Sequence, residues 1–253
     1  MKRTLWILIA GLLVLTSLDM SAQRWKLRRY EADMYLGAVA FHGDIGLADR
    51  PLANMFNGMR PTFGVTPRFF IQENMAVSLD LAYLIYGGRD EEGSSHTRMY
   101  SFNSHAFQHM ARYEYYIIGP KPKGVGIYNR RGMVHQYNKL LLYAFGGFGG
   151  ILSKSTIKDL NMGGEEPIDN PGYYSGAQYT LGFPIGVAAK FNLDPRWSIA
   201  GDIGYMFTLS DKLDGYAPAA SQYKDSYYLV TVKAVYRIRN DRNNRPIFNK
   251  YYR

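Results

Sequence analysis

The residues that could do chemistry in this chain are few and scattered. There are five histidines, His42, His96, His105, His109 and His135, and no cysteine. Without thiols, a disulfide framework, a thiolate nucleophile and a Cys-ligated zinc or iron–sulfur site are all excluded. His105 and His109 would share one face of a helix, but the residues around them alternate as a strand does. Four strand steps put them about 13 Å apart, too far for one ion. Ser104-His105 beside Asp90, Glu91 and Glu92 has the group types of a hydrolase, yet no nucleophile elbow or triad accompanies them. The run Gly146-Gly147-Phe148-Gly149-Gly150 lacks the Lys-Ser or Lys-Thr that follows a phosphate loop, so close strand packing or a bulge accounts for it better. The expectation is a non-enzymatic chain with no catalytic, cofactor or metal site, its histidines surface or interfacial groups.

The elements that would carry these residues are strands. From Tyr179 to Phe191, the apolar set Tyr179, Leu181, Phe183, Ile185, Val187, Ala189 and Phe191 alternates with Thr180, Gly182, Pro184, Gly186, Ala188 and Lys190. That is the period of a strand, sustained beyond the roughly 9–11 residues that cross a hydrocarbon layer at a tilt. Pro184 lacks a ladder donor, and a local bulge is expected there. The pattern recurs around Ala32–Ala38, Phe63–Phe69, Val77–Ile85, Ala111–Ile117, Trp197–Thr208 and Tyr228–Ile238, with a Gly-rich eighth run at Leu140–Leu152. The 22 Tyr, 13 Phe and 26 Gly suit strands, tight turns and membrane-interface girdles.

The links decide between a sandwich and a barrel. Those at Gln72-Glu73-Asn74 and Asn192–Arg196 are short, whereas those near 43–58, 87–101, 153–175 and 209–225 are long. Short turns at one end and long loops at the other match an outer-membrane barrel with periplasmic turns. Lipid allows no open sheet edge, so the expected fold is all-β: an eight-stranded antiparallel transmembrane β-barrel of the outer membrane. Eight strands enclose a space that side chains fill. The inward set then holds Glu31, Asp33, Asp80, Glu114 and Asp202 against Arg68, Arg112, Lys190, Lys233 and Arg237. A balanced charge network that keeps the lumen rigid is one reading, and a narrow conduction path is the other.

The chain opens with Lys2 and Arg3, an apolar run from Leu5 to Leu15, then Ser21-Ala22 before Gln23, the layout of a secretory signal peptide over 1–22. An uncleaved anchor helix is the alternative, although the apolar run falls short of the roughly 20 residues that a spanning helix needs. The barrel then occupies 23–239, with a periplasmic connection at 119–139 and a periplasmic tail at 240–253. Basic residues gather on this side: Arg24, Lys26, Arg28 and Arg29 after the leader, Lys121, Lys123, Arg130, Arg131 and Lys139 in the connection, and Arg239, Arg242, Arg245, Lys250 and Arg253 at the end, fourteen against the one acidic Asp241, whereas the four long links hold twelve acidic residues and seven basic ones. The net charge of +9 therefore belongs to one end of the molecule. Such a rim can rest on anionic phospholipid or dock an acidic periplasmic partner; nucleic acid is a poor fit for an exported chain.

Three segments carry a resemblance. Phe41-His42-Gly43-Asp44-Ile45-Gly46, the hairpin from Gly182-Phe183-Pro184-Ile185-Gly186 to Asn192-Leu193-Asp194-Pro195-Arg196-Trp197, and Phe207-Thr208-Leu209-Ser210-Asp211-Lys212-Leu213-Asp214 resemble PorG-like outer-membrane proteins of the Bacteroidota. The resemblance implies a barrel of the type IX secretion machinery, close to a periplasmic ring of PorK and PorN. Outer-membrane lipid and PorK/PorN-like ring proteins are then the expected partners.

Overall fold

The computed structural model describes residues 29–43, 45, 58–90, 99–119, 127–129, 132–134, 138–161, 163, 173–174, 176–194, 196–217, 224–238 and 246. The leader at 1–22, the tail at 240–253 and the cations Lys121, Lys123, Arg130, Arg131, Arg239, Arg242 and Arg245 lie outside the described residues.

In chain order the strands are β1 (Tyr30–His42), β2 (Arg60–Gln72), β3 (Met75–Arg89), β4 (Tyr100–Ile118), β5 (Ile127–Asn129), β6 (Gly132–Val134), β7 (Leu140–Asp159), β8 (Gly176–Asn192), β9 (Trp197–Thr208) and β10 (Ser226–Ile238). Eight of them form a closed antiparallel barrel in the order β1-β10-β9-β8-β7-β4-β3-β2, and β5 and β6 pair with each other. Tyr30 faces Ile238 where β1 meets β10, so the barrel begins and ends at one rim. The turns β2–β3 and β8–β9 sit at that rim, where β4 also ends and β7 begins; the strand ends that flank the four long links sit at the other.

Alternation sets the two faces. In β8 the apolar set from Tyr179 to Phe191 is turned outward, while Thr180, Ala188 and Lys190 are buried. β1 turns Met34 and Leu36 out, 70% and 72% exposed, and Glu31, Asp33 and Tyr35 in. Aromatic pairs bracket this apolar exterior. Near the short-turn rim Trp197 packs on Tyr236 with ring centroids 4.9 Å apart and Tyr30 on Phe69 at 5.1 Å. Nearer the long-link rim Phe63 meets Tyr83 at 5.4 Å and Tyr205 meets Tyr228 at 4.6 Å. Amphipathic rings at two heights around an apolar belt are what a membrane-spanning barrel carries at its two water interfaces.

The short β8–β9 turn is held by one side chain. Asp194 Oδ1 accepts the backbone N–H groups of Trp197 (2.8 Å) and Arg196 (2.6 Å). These donors favour the ionised form and hold the carboxyl below the usual carboxylate range.

Three expectations are corrected by the pairing. β4 begins at Tyr100 and β7 runs to Asp159, so the links read as 87–101 and 153–175 shrink to the residues between strands. The hairpin persists past the apolar band because Phe102, Ser104, Ser155 and Ile157 still have a buried face to fill. No bulge forms at Pro184. The β7–β8 ladder lapses opposite Phe183 and Pro184 and resumes in the same register, Gly146↔Ile185 before the gap and Gly149↔Gly182 after it, while Pro184 stays paired with Met206 of β9. The missing donor costs pairing on one side only, and the other ladder holds the strand in place. Register shifts occur instead between Phe70 and Gln72 and between Tyr116 and Ile118, next to the short-turn rim.

The glycine run of β7 lies where another backbone passes close. A Cβ on Gly147 would stand 2.1 Å from Ala111 O, and one on Gly149 2.0 Å from His109 O. Gly149→Val should therefore force β4 and β7 apart and destabilise the barrel by about 1–3 kcal/mol. Urea titration of the protein in detergent, followed by the gel-mobility shift between folded and boiled forms, checks this; an unchanged midpoint would contradict the packing argument.

Candidate functional site in the barrel lumen

Strand alternation sends the polar side chains into the barrel, and closure brings them into two layers. Toward the short-turn rim, Arg68 extends Nε to Glu114 Oε2 (2.6 Å), Nη1 to Glu31 Oε2 (3.3 Å) and Nη2 to Asp33 Oδ2 (3.1 Å). Glu31 also takes Lys190 Nζ at 2.5 Å and Arg237 Nε at 3.0 Å. Ser78 Oγ donates to Glu114 at 2.6 Å. Three cations thus meet three carboxylates, and rings close the layer: the Arg68 guanidinium lies 5.5 Å from the Tyr143 ring and Lys190 Nζ 5.9 Å from that of Phe70.

The second layer centres on Asp80. Its Oδ1 accepts the hydroxyls of Tyr35 (2.9 Å) and Thr66 (3.1 Å); its Oδ2 accepts Gln108 Nε2 (2.5 Å) and Arg112 Nη2 (2.6 Å). Asp202 meets Lys233 Nζ at 2.7 Å and Arg112 Nη1 at 3.7 Å, and Thr231 Oγ1 donates to it. Two cations face two carboxylates here. Each layer is balanced, which is the condition for ions this far from water, since an isolated buried charge costs several kcal/mol.

Above the layers, a loop folds into the mouth. Leu213 lies fully buried among Tyr86, Phe102 and Ile157. Its carbonyl accepts the hydroxyls of Ser155 (2.5 Å), Ser104 (3.2 Å) and Tyr86 (3.4 Å), and its N–H donates to Asp225 Oδ2 (2.7 Å). Ile45 N–H donates to Asp214 Oδ2 at 3.3 Å, so the first long link is fastened to the fourth. Gly215 turns the chain back with φ 85°, the left-handed region that glycine takes without strain. Residues 209–217 have no hydrophobic period, and one apolar residue between Lys212 and Asp214 gives no sign that it will be the stopper.

Of the hydrolase-type group, Glu91 and Glu92 lie outside the described residues. Ser104 Oγ points inward to Ser155, while His105, its neighbour, points outward, its Nδ1 2.9 Å from Tyr83 Oη. Adjacent strand residues face opposite sides of the wall, so the two cannot act on one substrate. Asp90 is committed to the Tyr100 N–H at 3.2 Å. His109 lies 3.4 Å from Tyr179 Oη on the exterior, and His42 is half-buried near the mouth. His96 and His135 lie outside the described residues. Among the described residues no three His, Cys, Asp or Glu side chains gather as a metal site would require. Of the basic residues named for docking, Lys139 is described, exposed at the short-turn rim.

Asp80→Ala would leave Arg112 half-paired and Tyr35, Thr66 and Gln108 without their acceptor. Chemical unfolding in micelles should show a loss of about 3–5 kcal/mol, and the double change Asp80→Leu with Arg112→Met a smaller one. A double variant less stable than Asp80→Ala would refute the charge-balance account.

No family model matches the chain, and no curated protein matches it. Among solved structures it is similar to Ail, the attachment invasion locus protein of Yersinia pestis, at 10% identity, covering 83% of this chain and 98% of that one with a TM-score of 0.42. It is similar to the outer membrane protein OprG from Pseudomonas aeruginosa at 10% identity, 84% and 97% coverage and a TM-score of 0.38. The outer membrane protease OmpT from Escherichia coli matches at 9% identity, 83% and 96% coverage and a TM-score of 0.38. These likenesses concern barrel architecture, which the strand pairing of this chain establishes on its own.

Proposed function

We propose that this chain, its leader removed after Ala22, is a non-enzymatic outer-membrane barrel of the type IX protein secretion system that docks a PorK/PorN-like periplasmic ring through a basic surface. The apolar exterior, the closed ladder and the interface aromatics supply the outer-membrane part of this reading. The docking part is carried by one observation: the ends of β1 and β10 and the strand ends that flank the 119–139 connection share a rim, and the charged residues of the sequence there are almost all basic. Lys121, Lys123, Arg130, Arg131 and Lys139 lie in a connection longer than closure of neighbouring strands requires. Arg239, Arg242 and Arg245 follow the last strand. A surface of one sign steers and registers an acidic partner, and such attraction weakens as salt rises. The non-enzymatic part is supported by the opposite facing of Ser104 and His105.

A free-standing barrel that works through its outer loops is the second reading, favoured by the ordered closure at Leu213. A small pore finds less support, because two ion-paired layers and that stopper occupy the lumen.

Charge reversal of Lys121, Lys123, Arg130 and Arg131 to Glu should abolish recovery of the ring component in co-purification while the barrel still folds and inserts. Unchanged recovery would overturn the docking reading. In planar bilayers the purified protein should give no steady conductance.

A further inference from the structure

The second layer of the lumen holds one donor without an acceptor. Arg112 is 4% exposed. Its Nη2 donates to Asp80 at 2.6 Å, and its Nη1 stands 3.7 Å from Asp202 Oδ2, beyond hydrogen-bond reach. Its Nε is buried and has no hydrogen-bond partner among the described residues. Buried N–H groups left in this way are rare, because the hydration they had in the unfolded chain is lost and nothing replaces it.

Arg112 also lines a small cavity, together with Phe145, Pro184, Asp202, Gly204 and Met206 among others, with a volume of about 10 Å³. That is about the room one water needs. The sequence leaves this space because Gly204 brings no side chain to the inner face of β9. The ring of Phe145 takes part of it, its Cζ 3.2 Å from where a Cβ on Gly204 would stand. The same ring lies 4.9 Å from the guanidinium carbon of Arg112. A charged donor, a carboxylate and an apolar ring thus meet around a hole of one-water size.

We infer that this cavity is the binding site of one structural water, which accepts from Arg112 Nε and donates to the Asp202 carboxylate. Charge selects water over an ion. The layer already sets Arg112 and Lys233 against Asp80 and Asp202, so an added anion would face Asp202, and an added cation Arg112, without compensation. Water accepts and donates at once and adds no charge. Its place also gives it a task. Asp80 and Arg112 stand on the neighbouring strands β3 and β4, Asp202 and Lys233 on the neighbours β9 and β10, and β7 and β8 lie between β4 and β9. The water completes a hydrogen-bonded link across the lumen between two ion pairs that the 3.7 Å gap keeps apart. The site depends on the closed barrel alone, and on neither ring docking nor the facing of the long links.

The test uses the full-length mature protein, folded in detergent micelles with isotope-labelled arginine and studied by nuclear magnetic resonance. In the wild type the Arg112 Nε–H resonance should show a cross-peak to a long-lived water. Arg112→Lys, which keeps the charge and drops Nε, assigns that resonance by its loss. Gly204→Ala, whose methyl presses on Phe145, should fill the cavity and abolish the water cross-peak while the resonance itself remains. A wild-type Nε–H that contacts the Phe145 ring and no water would give the donor to the ring face and overturn the site. A water cross-peak that persists in Gly204→Ala would overturn it too. Wild-type crystals grown with bromide give a second readout that needs no variant. One peak of ordinary solvent density between Nε and the Asp202 carboxylate is expected; an anomalous bromide peak there, or no density, would refute the assignment. The folded-to-boiled mobility shift of each variant separates a lost water from a lost barrel.

Discussion

Hydrocarbon offers no hydrogen-bond partner, so every backbone N–H and C=O that faces lipid through a strand must be paired within the sheet. The rest of the molecule follows from that requirement. An open sheet would leave two unpaired edges; here β10 returns to β1 and removes them along the whole span from Tyr30 to His42. Two of the three strand prolines show it. Where Pro67 and Pro184 interrupt the ladders with β3 and β7, the opposite neighbours β1 and β9 remain paired, and no lapse passes through both sides of a strand.

Closure at eight strands then imposes the chemistry of the interior. The enclosed space is narrow, and what enters it loses water. Charges survive there by meeting their opposites: Glu31 takes three cations, and Asp80 takes four hydrogen bonds. Tyrosine rings complete the packing because each offers a flat apolar face and one hydroxyl that can reach the network, as Tyr35 and Tyr227 do. A wall tied together this way is rigid, and a rigid filled barrel has its functional surfaces at its ends and on its exterior.

Those surfaces differ. At the long-link mouth Leu213 is buried, and Asp214 and Asp225 fasten the loop that carries it. The short-turn rim brings together the start of β1, the end of β10 and the strand ends that flank the 119–139 connection. The lipid-facing wall carries an open apolar groove lined by Met34, Leu36, Phe63, Tyr83, Phe107 and Val232. Each feature uses residues that closure does not require.

Much of this could be read before any fold was drawn. The alternation in Tyr179–Phe191 told which side of the strand is which, because facing depends only on the neighbouring residue and is a local property. Link lengths told which ends lie together, because antiparallel neighbours must be joined alternately at opposite rims. The signal failed where pairing carries a strand beyond its apolar stretch, as in Tyr100–Ala106 of β4, whose outward residues Ser101, Asn103 and His105 are polar but whose inward face is buried. It also failed for Leu213, whose burial is decided by a loop meeting Ser104, Ser155 and Tyr86 from distant strands. Sequence alone determined the two-faced strands and the unequal lengths of their links, since both are written in adjacent residues. Tertiary structure alone decided that Lys190 meets Glu31 across 159 positions, because register and barrel closure choose partners and no local pattern encodes them.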